Sequence, residues 1–257
     1  MDAKTVFFLG GKDLEMTTIR HILTRKSISY EDKHLNWNNA TLSKYSDLLY
    51  KYKGYTIYGV ELRNDLQETP HGYQTIDHHN DLSDRPSSLE QVAEIVGHTL
   101  NYREKLIAAN DKGYIPAMEE LDATKEQIAE IRSLDRQAQG VSKADEEEAI
   151  KSLPTKQTYG DLIIIHTAAK RFSPITDALY PYKALLVVSA ANRCFCYYGY
   201  GAFQMHNSST SNWVTYYGGG CNGFWGGDLN EYVQVTDVDK EVETLINSVK
   251  EEYTKLQ

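Results

Sequence analysis

Three short apolar runs in the first third of the chain constrain its fold most, because each ends in a polar or glycine turn. They cover residues 5–9, 55–62 and 73–76. Helical patterns follow such runs, the first at residues 16–24. Alternation of short strands with helices is typical of βα units around a parallel sheet. The sequence therefore predicts an α/β fold that starts with a parallel sheet.

Carboxylates lie at the ends of these three runs. Asp13 and Glu15 follow the first run, Glu61 lies near the end of the second, and Asp77 directly follows the third. In an open parallel sheet the ligand crevice lies beyond the carboxyl ends of the strands. We therefore expect the four carboxylates to converge at one edge of the sheet.

The triplet Asp77-His78-His79 is a compact set of metal ligands. Imidazole nitrogen suits Mn²⁺, Zn²⁺ and Fe²⁺, and carboxylate oxygen suits harder ions. Side chains alternate along a strand, so the three can share a site only if the strand ends here and turns. The polar residues that follow favour such a turn. A solvated polar loop is the alternative interpretation.

Composition restricts the classes of function. The net charge of −9 over 257 residues argues against a protein that grips long nucleic acid through its backbone, which requires surplus Lys and Arg. Three cysteines without a CxxC pair predict neither a disulfide framework nor a zinc knuckle. The first apolar run is too short for a signal sequence, and no run has membrane length. We expect a cytoplasmic protein without membrane contact.

A helix is predicted to begin at Ser87, where Ser87 and Glu90 have the spacing of a capping box. A second helix follows and ends in a turn that contains Asp111 and Gly113. Asp111 is a candidate ligand for the same site as Asp77. An ordinary turn residue is the alternative interpretation of Asp111.

Two further composition changes divide the rest of the chain. Residues 119–157 are rich in Glu, Lys, Ala, Gln and Arg and predict a helical linker, which Pro154 ends. Strand-like runs and a closing amphipathic helix follow over residues 158–257. We therefore predict a first domain over residues 1–118, the linker over 119–157, and a smaller C-terminal α/β domain over 158–257.

The second domain contains a glycine-rich run, 218–227, with two aromatic residues. Gly218, Gly219 and Gly220 allow a ligand to approach the backbone closely, and successive amides can hold an anion. Phe224 and Trp225 are candidates to stack on a base. A flexible loop or a glycine-rich hairpin is the alternative.

Upstream of that run, Arg171 is a candidate phosphate partner. A surface charge at a turn is the equally plausible alternative for this residue.

Together these elements resemble the DHH phosphoesterase superfamily over most of the chain. Its triplet matches Asp77, His78 and His79, and its first motif, His-x-Asp-x-Asp, falls on Gly11, Asp13 and Glu15. Its acidic residue on the next strand and its aspartate after the helix pair fall on Glu61 and Asp111. The glycine-rich motif of its associated C-terminal domain is similar to residues 218–226, with Cys221 in place of a histidine.

The resemblance implies a hydrolase that cuts the phosphodiester bonds of short oligonucleotides or of linear or cyclic dinucleotides, as a phosphodiesterase or exonuclease, and releases mononucleotides. One or two ions of Mn²⁺ or Mg²⁺ are implied as cofactors. The implied catalytic residues are Asp77, His78 and His79, the implied metal ligands are Asp13, Glu15, Glu61, Asp77, His79 and Asp111, and the implied substrate-binding residues are Arg171, Gly218, Gly219, Gly220, Phe224 and Trp225.

The expected partner is a short oligonucleotide or dinucleotide rather than a long duplex, and a homodimer is left open. Gly11 departs from the family, because it stands where members carry a histidine ligand. The alternative function is therefore a nucleotide-binding or regulatory member with impaired catalysis. A pyrophosphatase of the same superfamily is disfavoured, since pyrophosphate offers the aromatic residues nothing to stack on.

Overall fold

The computed structural model describes residues 4–208, 212–219 and 221–257. The chain divides into two compact units, residues 1–140 and 141–257. Both units combine helices with a sheet, which confirms the predicted α/β class. None of the helices formed by the described residues combines the length and the apolar character that crossing a bilayer requires.

The first unit contains a parallel sheet of four described strands in the order β2-β1-β3-β4. Short 3₁₀ segments lie at Leu42–Tyr45 and Asn80–Leu82. The strands are β1 (Thr5–Leu9), β2 (Tyr30–Asp32), β3 (Thr56–Val60) and β4 (Tyr73–Ile76), and the helices are α1 (Leu14–Arg25), α2 (Ser46–Leu49), α3 (Ser88–Ile95), α4 (Tyr102–Glu119) and α5 (Lys125–Ala138).

The central strand β1 explains why this sheet is parallel and buried. Its residues Val6 to Leu9 are fully buried, so the strand has apolar side chains on both faces. A continuous apolar run of this kind is typical of a parallel sheet covered by helices on both sides. Register then aligns the strand ends, because Leu9 pairs with Val60 and Val60 pairs with Ile76. The residues that follow these three positions therefore share one edge.

Side-chain caps fix where the helices of this unit begin. The carboxylate of Asp13 accepts the Met16 amide at 2.7 Å and starts α1. The predicted capping box of Ser87 and Glu90 is present at the start of α3. Caps of this type satisfy backbone amides that the helix itself leaves without partners. They also set the direction in which each helix leaves the edge of the sheet.

The second unit contains a mixed sheet of six described strands in the order β5-β6-β7-β8-β10-β9. Strands β6 and β7 are parallel, and the other neighbours are antiparallel. Short 3₁₀ segments lie at Leu153–Thr155 and Val235–Asp237. The strands are β5 (Gln157–Tyr159), β6 (Leu162–His166), β7 (Ala184–Ser189), β8 (Cys194–Gly199), β9 (Trp213–Gly218) and β10 (Phe224–Leu229), and the helices are α6 (Lys143–Ser152), α7 (Ser173–Leu179), α8 (Ala202–Asn207) and α9 (Val238–Lys255).

Apolar side chains cover both faces of this second sheet. Helices α8 and α9 pack on one face, where Leu245 and Val249 join Trp225 and Phe195 in a single buried cluster. Helices α6 and α7 pack on the other face. The amphipathic pattern of the closing helix thus has the partner that its period predicts.

Residues 119–157, which the sequence predicts as a helical linker, are divided between the two units. Helix α5 packs against α1 and α4 in the first unit, while α6 packs against α7 in the second. The boundary between the units lies at residues 140 and 141, where Gly140 has a φ of 84°. The role of the segment as a linker stays a prediction.

Candidate metal centre

The carboxyl ends of β1, β3 and β4 bring acidic and histidine side chains together in the first unit. Glu61 directly follows β3, and its amide donates to the Ile76 carbonyl at the end of β4 at 2.8 Å. Asp77 and His78 follow at once, so the strand ends where the triplet begins, as the metal-binding interpretation requires. The chain therefore turns its ligand-type side chains toward one edge of the sheet.

Four side chains form the centre of the site, and they are defined here as the acid–histidine cluster: Glu15, Glu61, His78 and Asp111. One ligand-type atom from each lies within 4.8 Å of the others. His78 Nε2 is 2.7 Å from Asp111 Oδ2, 3.7 Å from Glu15 Oε2 and 3.8 Å from Glu61 Oε1. A second group joins Glu61 and His78 with His79. His78 and Glu61 are thus common to both groups.

The two glutamates of the cluster are buried with oxygens that lack partners. Glu15 Oε2 and both carboxylate oxygens of Glu61 have no hydrogen-bond partner among the described residues. The other oxygen of Glu15 accepts the Leu89 amide at 3.0 Å, at the start of α3. A buried carboxylate without a partner is costly, unless it is neutralised or coordinates a metal. This donor set of carboxylates and imidazoles fits a divalent cation.

The pKa values of Glu15, Glu61 and His78 are all raised, by burial for the two glutamates and by neighbouring carboxylates for the histidine. Burial raises the pKa of Glu15, and the nearby Asp111 carboxylate raises it further. Burial also raises the pKa of Glu61, with Asp13 and Glu15 adding to the effect. For His78, burial opposes the charged form, but the hydrogen bond to Asp111 and the charges of the nearby carboxylates together outweigh burial and raise the pKa. Excess negative charge in a buried space is what a cation would relieve.

Asp13 lies beside the cluster but outside both groups. One of its oxygens caps α1, and the other faces Gly11, 3.2 Å from where a Cβ would stand on that glycine. Burial and the Asp111 carboxylate raise the pKa of Asp13 to about 7. Asp13 therefore belongs to the same electrostatic environment, and its role as a ligand stays a prediction.

Asp77 and His79 form a hydrogen-bonded pair at the margin of the site. Asp77 Oδ1 accepts the His79 amide at 3.0 Å and lies 2.9 Å from His79 Nδ1. Burial favours the neutral form of Asp77, but its bonds with His79 outweigh this and lower the pKa of Asp77. Asp77 belongs to neither group of ligand-type atoms in the described residues. The structure thus draws His78, rather than Asp77, to the centre of the cluster.

Two glycines leave the space that Glu61 occupies. A Cβ on Gly10 would lie 2.3 Å from the Glu61 carbonyl oxygen, and one on Gly11 would lie 2.9 Å from Glu61 Oε2. Gly11 is the position where the resembling family carries a histidine. The side chain of Glu61 thus reaches the place that a residue at position 11 would enter.

A buried network from α5, which sequence reasoning missed, supports this edge of the site. Asp135 accepts the Leu14 amide at 3.2 Å and bonds with Arg132 at 3.0 Å. Arg132 also donates to Asn110 at 2.9 Å, and its guanidinium lies 4.5 Å from the ring of Tyr114. No sequence motif marks these contacts, because they join residues up to 121 positions apart.

Asp111 lies where α4 departs from helical geometry. Gly113 and Tyr114 have non-helical backbone angles, and Tyr114 has a φ of 60°. The predicted turn at Asp111 and Gly113 corresponds to a kink at Gly113 and Tyr114, where two helical segments within the bounds of α4 meet. Asn110, which precedes this kink, and Tyr114, which lies in it, both contact Arg132.

Among the predicted substrate-binding residues, Gly218, Phe224 and Trp225 lie in the second unit on the paired strands β9 and β10 of a hairpin. Gly218 ends β9, Gly219 has a φ of 77° in the turn, and Gly220 lies outside the described residues. Phe224 starts β10 and is 38% exposed. The alternative of a glycine-rich hairpin is the one the structure has.

Trp225 corrects one expectation. It is 1% exposed and packs edge-on against Phe195 with the ring centroids 4.7 Å apart, so its ring is core and not a surface for a base. Side chains alternate along a strand, so Phe224 and Trp225 point to opposite faces.

Arg171 lies on the surface just before α7. Its role in phosphate binding stays a prediction.

Sequence reasoning also missed Trp37. Its ring is 55% exposed, and its centroid lies 4.4 Å from that of His79, with the planes at 77°. Trp37 lies in an irregular segment between β2 and α2, where no period marks it as part of a strand or helix. That an exposed aromatic ring lies beside a candidate site can be recognised only from the folded structure, because no local sequence pattern indicates it.

Comparison with known proteins gives matches in structure only. No family model matches the sequence, and no protein of established function is similar to it in sequence. Two solved structures of DHH-superfamily proteins match nearly the whole chain. A pGpG-specific phosphodiesterase, PggH from Vibrio cholerae, is 12% identical, with 97% of this chain and 100% of that chain covered and a TM-score of 0.48.

The second structure is RecJ from Thermus thermophilus in complex with Mn²⁺. It is 12% identical, with 96% of this chain and 52% of that chain covered and a TM-score of 0.47. At these scores and identities neither match carries a conclusion about the activity of this chain. Such a conclusion depends on the acid–histidine cluster itself.

Proposed function

We propose that the first unit binds one or two divalent ions, Mn²⁺ or Mg²⁺, and hydrolyses phosphodiester bonds of short oligonucleotides or of linear or cyclic dinucleotides. The observation that carries this proposal is the burial of Glu15 and Glu61 beside His78 and Asp111, with carboxylate oxygens that accept no hydrogen bond from the described residues. Buried, partnerless carboxylates that face an imidazole are costly to maintain for structure alone. A metal-free cation site has such carboxylates, because they become ligands when the ion binds.

The cluster and its neighbours divide the work of this reaction. With a divalent ion bound, the site would lower the pKa of a water and offset charge on the phosphoryl oxygens. Glu15, Glu61, His78 and Asp111 would hold the ion, with Asp13 beside them. In the reaction a water oxygen bonds to phosphorus, the bond from phosphorus to the leaving sugar oxygen breaks, and that oxygen takes up a proton.

His79 is the residue we assign to the proton on the leaving oxygen. Asp77 bonds with its Nδ1, which fixes the orientation of the ring and turns Nε2 away from Asp77. Asp77 is then a positioning residue, and Nε2 is the atom of His79 that would give a proton to the leaving oxygen.

The test uses the purified full chain with a panel of short oligonucleotides and linear and cyclic dinucleotides. Products are separated by chromatography with Mn²⁺, with Mg²⁺ and without metal. Glu61→Gln removes a charge from the cluster, and Glu94→Gln removes one from an exposed position on α3 as the matched control. We expect metal-dependent release of mononucleotides that Glu61→Gln abolishes and Glu94→Gln leaves unchanged.

A second candidate function is a nucleotide-binding or regulatory protein without turnover. Gly11 favours it, because a glycine offers no side-chain ligand at a position where the resembling family has a histidine. Calorimetric binding of Mn²⁺ and a dinucleotide, together with no product from any member of the panel, would establish this second function instead.

A further inference from the structure

Trp37 is a large aromatic ring that the first unit leaves exposed beside its candidate site. The ring is 55% exposed, although its centroid lies 4.4 Å from that of His79. His79 in turn lies 4.2 Å, centroid to centroid, from His78 of the acid–histidine cluster. The indole is therefore two aromatic contacts away from the proposed metal ligands.

The segment that presents Trp37 is ordered by its own contacts. Leu35 and Ala40, on either side, are buried in the core of the unit. The Asn39 side chain accepts the Asn36 amide at 2.8 Å, and the Asn36 side chain accepts the amide of Asn38 at 3.1 Å. Two buried anchors and side-chain bonds of this type fix a short turn. The ring is thus held at the tip of a defined turn.

A structural role alone does not explain this placement. An indole that served the core would be buried like Trp213 and Trp225, which are 7% and 1% exposed. The edge-to-face contact with His79 covers only part of the ring, and the rest faces solvent. Aromatic rings stack on nucleobases without regard to sequence, because every base has a π-face.

We infer that Trp37 is the stacking surface for a nucleobase next to the phosphate that the site hydrolyses. This inference rests on the proposed function and adds to it. It places base recognition in the first unit, at the turn whose Trp37 ring contacts His79. It also gives the site a ligand class, a nucleotide with an unpaired base, since a base within a duplex cannot offer its face to an indole.

The experiment measures binding rather than hydrolysis. Adenosine 5′-monophosphate is titrated against ribose 5-phosphate, which lacks the base, with Mn²⁺ present. Tryptophan fluorescence is the readout, because the other two of the three tryptophans in the chain are buried. We expect quenching by the nucleotide and not by the sugar phosphate.

Variants then assign the quenching to the ring. Stacking of one base is worth a factor of about 5 to 150 in affinity. Trp37→Ala should weaken nucleotide binding, measured by calorimetry, within this range and leave ribose 5-phosphate binding unchanged. Trp37→Phe should retain part of the affinity. Tyr50→Ala is the control, because Tyr50 is also an exposed aromatic residue of the first unit, at 88% exposure.

Two outcomes overturn the inference. Equal affinity for the nucleotide and the sugar phosphate, or nucleotide affinity that Trp37→Ala does not change, excludes stacking on Trp37. A separate Mn²⁺ titration keeps this result distinct from failure of the proposed function. If the unmodified protein binds Mn²⁺, the proposed metal site is retained and only the stacking inference fails. If the unmodified protein does not bind Mn²⁺, the proposed function fails as well.

Discussion

His78 Nε2 lies 2.7 Å from Asp111 Oδ2, so a histidine two residues beyond the end of β4 is bonded to an aspartate two residues before the kink in α4. The pair joins two elements that the sequence separates by 33 positions. It is a hydrogen bond within the cluster, whereas Glu15 Oε2 and both carboxylate oxygens of Glu61 have no hydrogen-bond partner among the described residues and lie 3.7 Å or more from His78 Nε2. The balance of charge in the site therefore depends on protons or cations.

The metal-free protein should lose stability as the pH rises. The pKa of Asp13 is raised from 3.8 to about 7, so the folded state binds a proton that the unfolded state has released. This contribution is fully present below pH 3.8 and is lost as the pH rises through about 7, by up to about 4 kcal/mol for a shift of this size. The raised pKa values of Glu15, Glu61 and His78 act in the same direction. Urea unfolding in the presence of a chelator, at pH 5 and at pH 7.5, measures this loss of stability.

Asp13→Asn is the control for this pH dependence. Asparagine caps a helix about as well as aspartate, so the variant keeps the start of α1 and removes the titrating group. We expect a weaker pH dependence in the variant. Because metal ligands must be deprotonated, Mn²⁺ affinity of the unmodified protein should instead rise over the same interval. A metal-free protein that is more stable at pH 7.5 than at pH 5 would contradict the prediction.

Alanine at Gly10 and at Gly11 should have different effects. At Gly10 the new Cβ meets the Glu61 backbone, which cannot move, so we expect a loss of about 1–3 kcal/mol in the free energy of unfolding. At Gly11 it meets the Glu61 carboxylate, which can move. Stability should then change little, while Mn²⁺ affinity falls about 10- to 100-fold. Unchanged Mn²⁺ affinity in Gly11→Ala would contradict the prediction that Glu61 binds the ion from the position it occupies beside Gly11.

Arg132→Ala should be strongly destabilising. It leaves the buried carboxylate of Asp135 without its cation and Asn110 without its donor, and breaking a buried pair costs about 3–5 kcal/mol. Arg103→Ala is the matched control, because it breaks an exposed pair with Glu130 that is worth about 0–1 kcal/mol. Urea unfolding of both variants gives the comparison. Equal losses would mean that the network around Asp135 is not structurally important.

Alanine substitutions at the neighbouring aromatic residues Phe224 and Trp225 of β10 should differ in their effect on the free energy of unfolding. Trp225→Ala removes a ring that is 1% exposed, which costs about 3–5 kcal/mol. Phe224→Ala removes a ring that is 38% exposed, and we expect about 1 kcal/mol or less. Unfolding of the two variants by urea checks the difference. A small loss for Trp225→Ala would contradict its place in the core.

Local patterns in the sequence predict much of this fold. The runs at 5–9 and 73–76 are strands with the expected bounds, and the capping box at Ser87 is present. Each of these signals depends on neighbouring residues alone. The short strand β2 gives no such signal, because three residues are too few to define a period. The convergence of Glu15 and Glu61 follows from the rule that parallel strands share an edge, whereas Asp111 reaches the cluster from α4.

Contacts between distant residues could not be predicted in this way. Trp37 reaches His79, and Arg132 reaches Asn110, only through the path that the chain takes. In the second unit, even two adjacent residues show that sequence patterns do not determine which contacts a side chain makes. Phe224 and Trp225 are adjacent and both aromatic, but the face that each one occupies depends on the pairing of β10 with β8 and β9.

Glu61 has a φ of 52° at the end of β3, a left-handed backbone that glycine and asparagine adopt more readily than glutamate. Its carboxylate is also buried without partners. Replacement by glycine would relieve both penalties and remove the ligand. A library selected for heat resistance in the absence of metal should therefore lose this glutamate early, and clones chosen for robustness alone would be the ones least able to bind a cation.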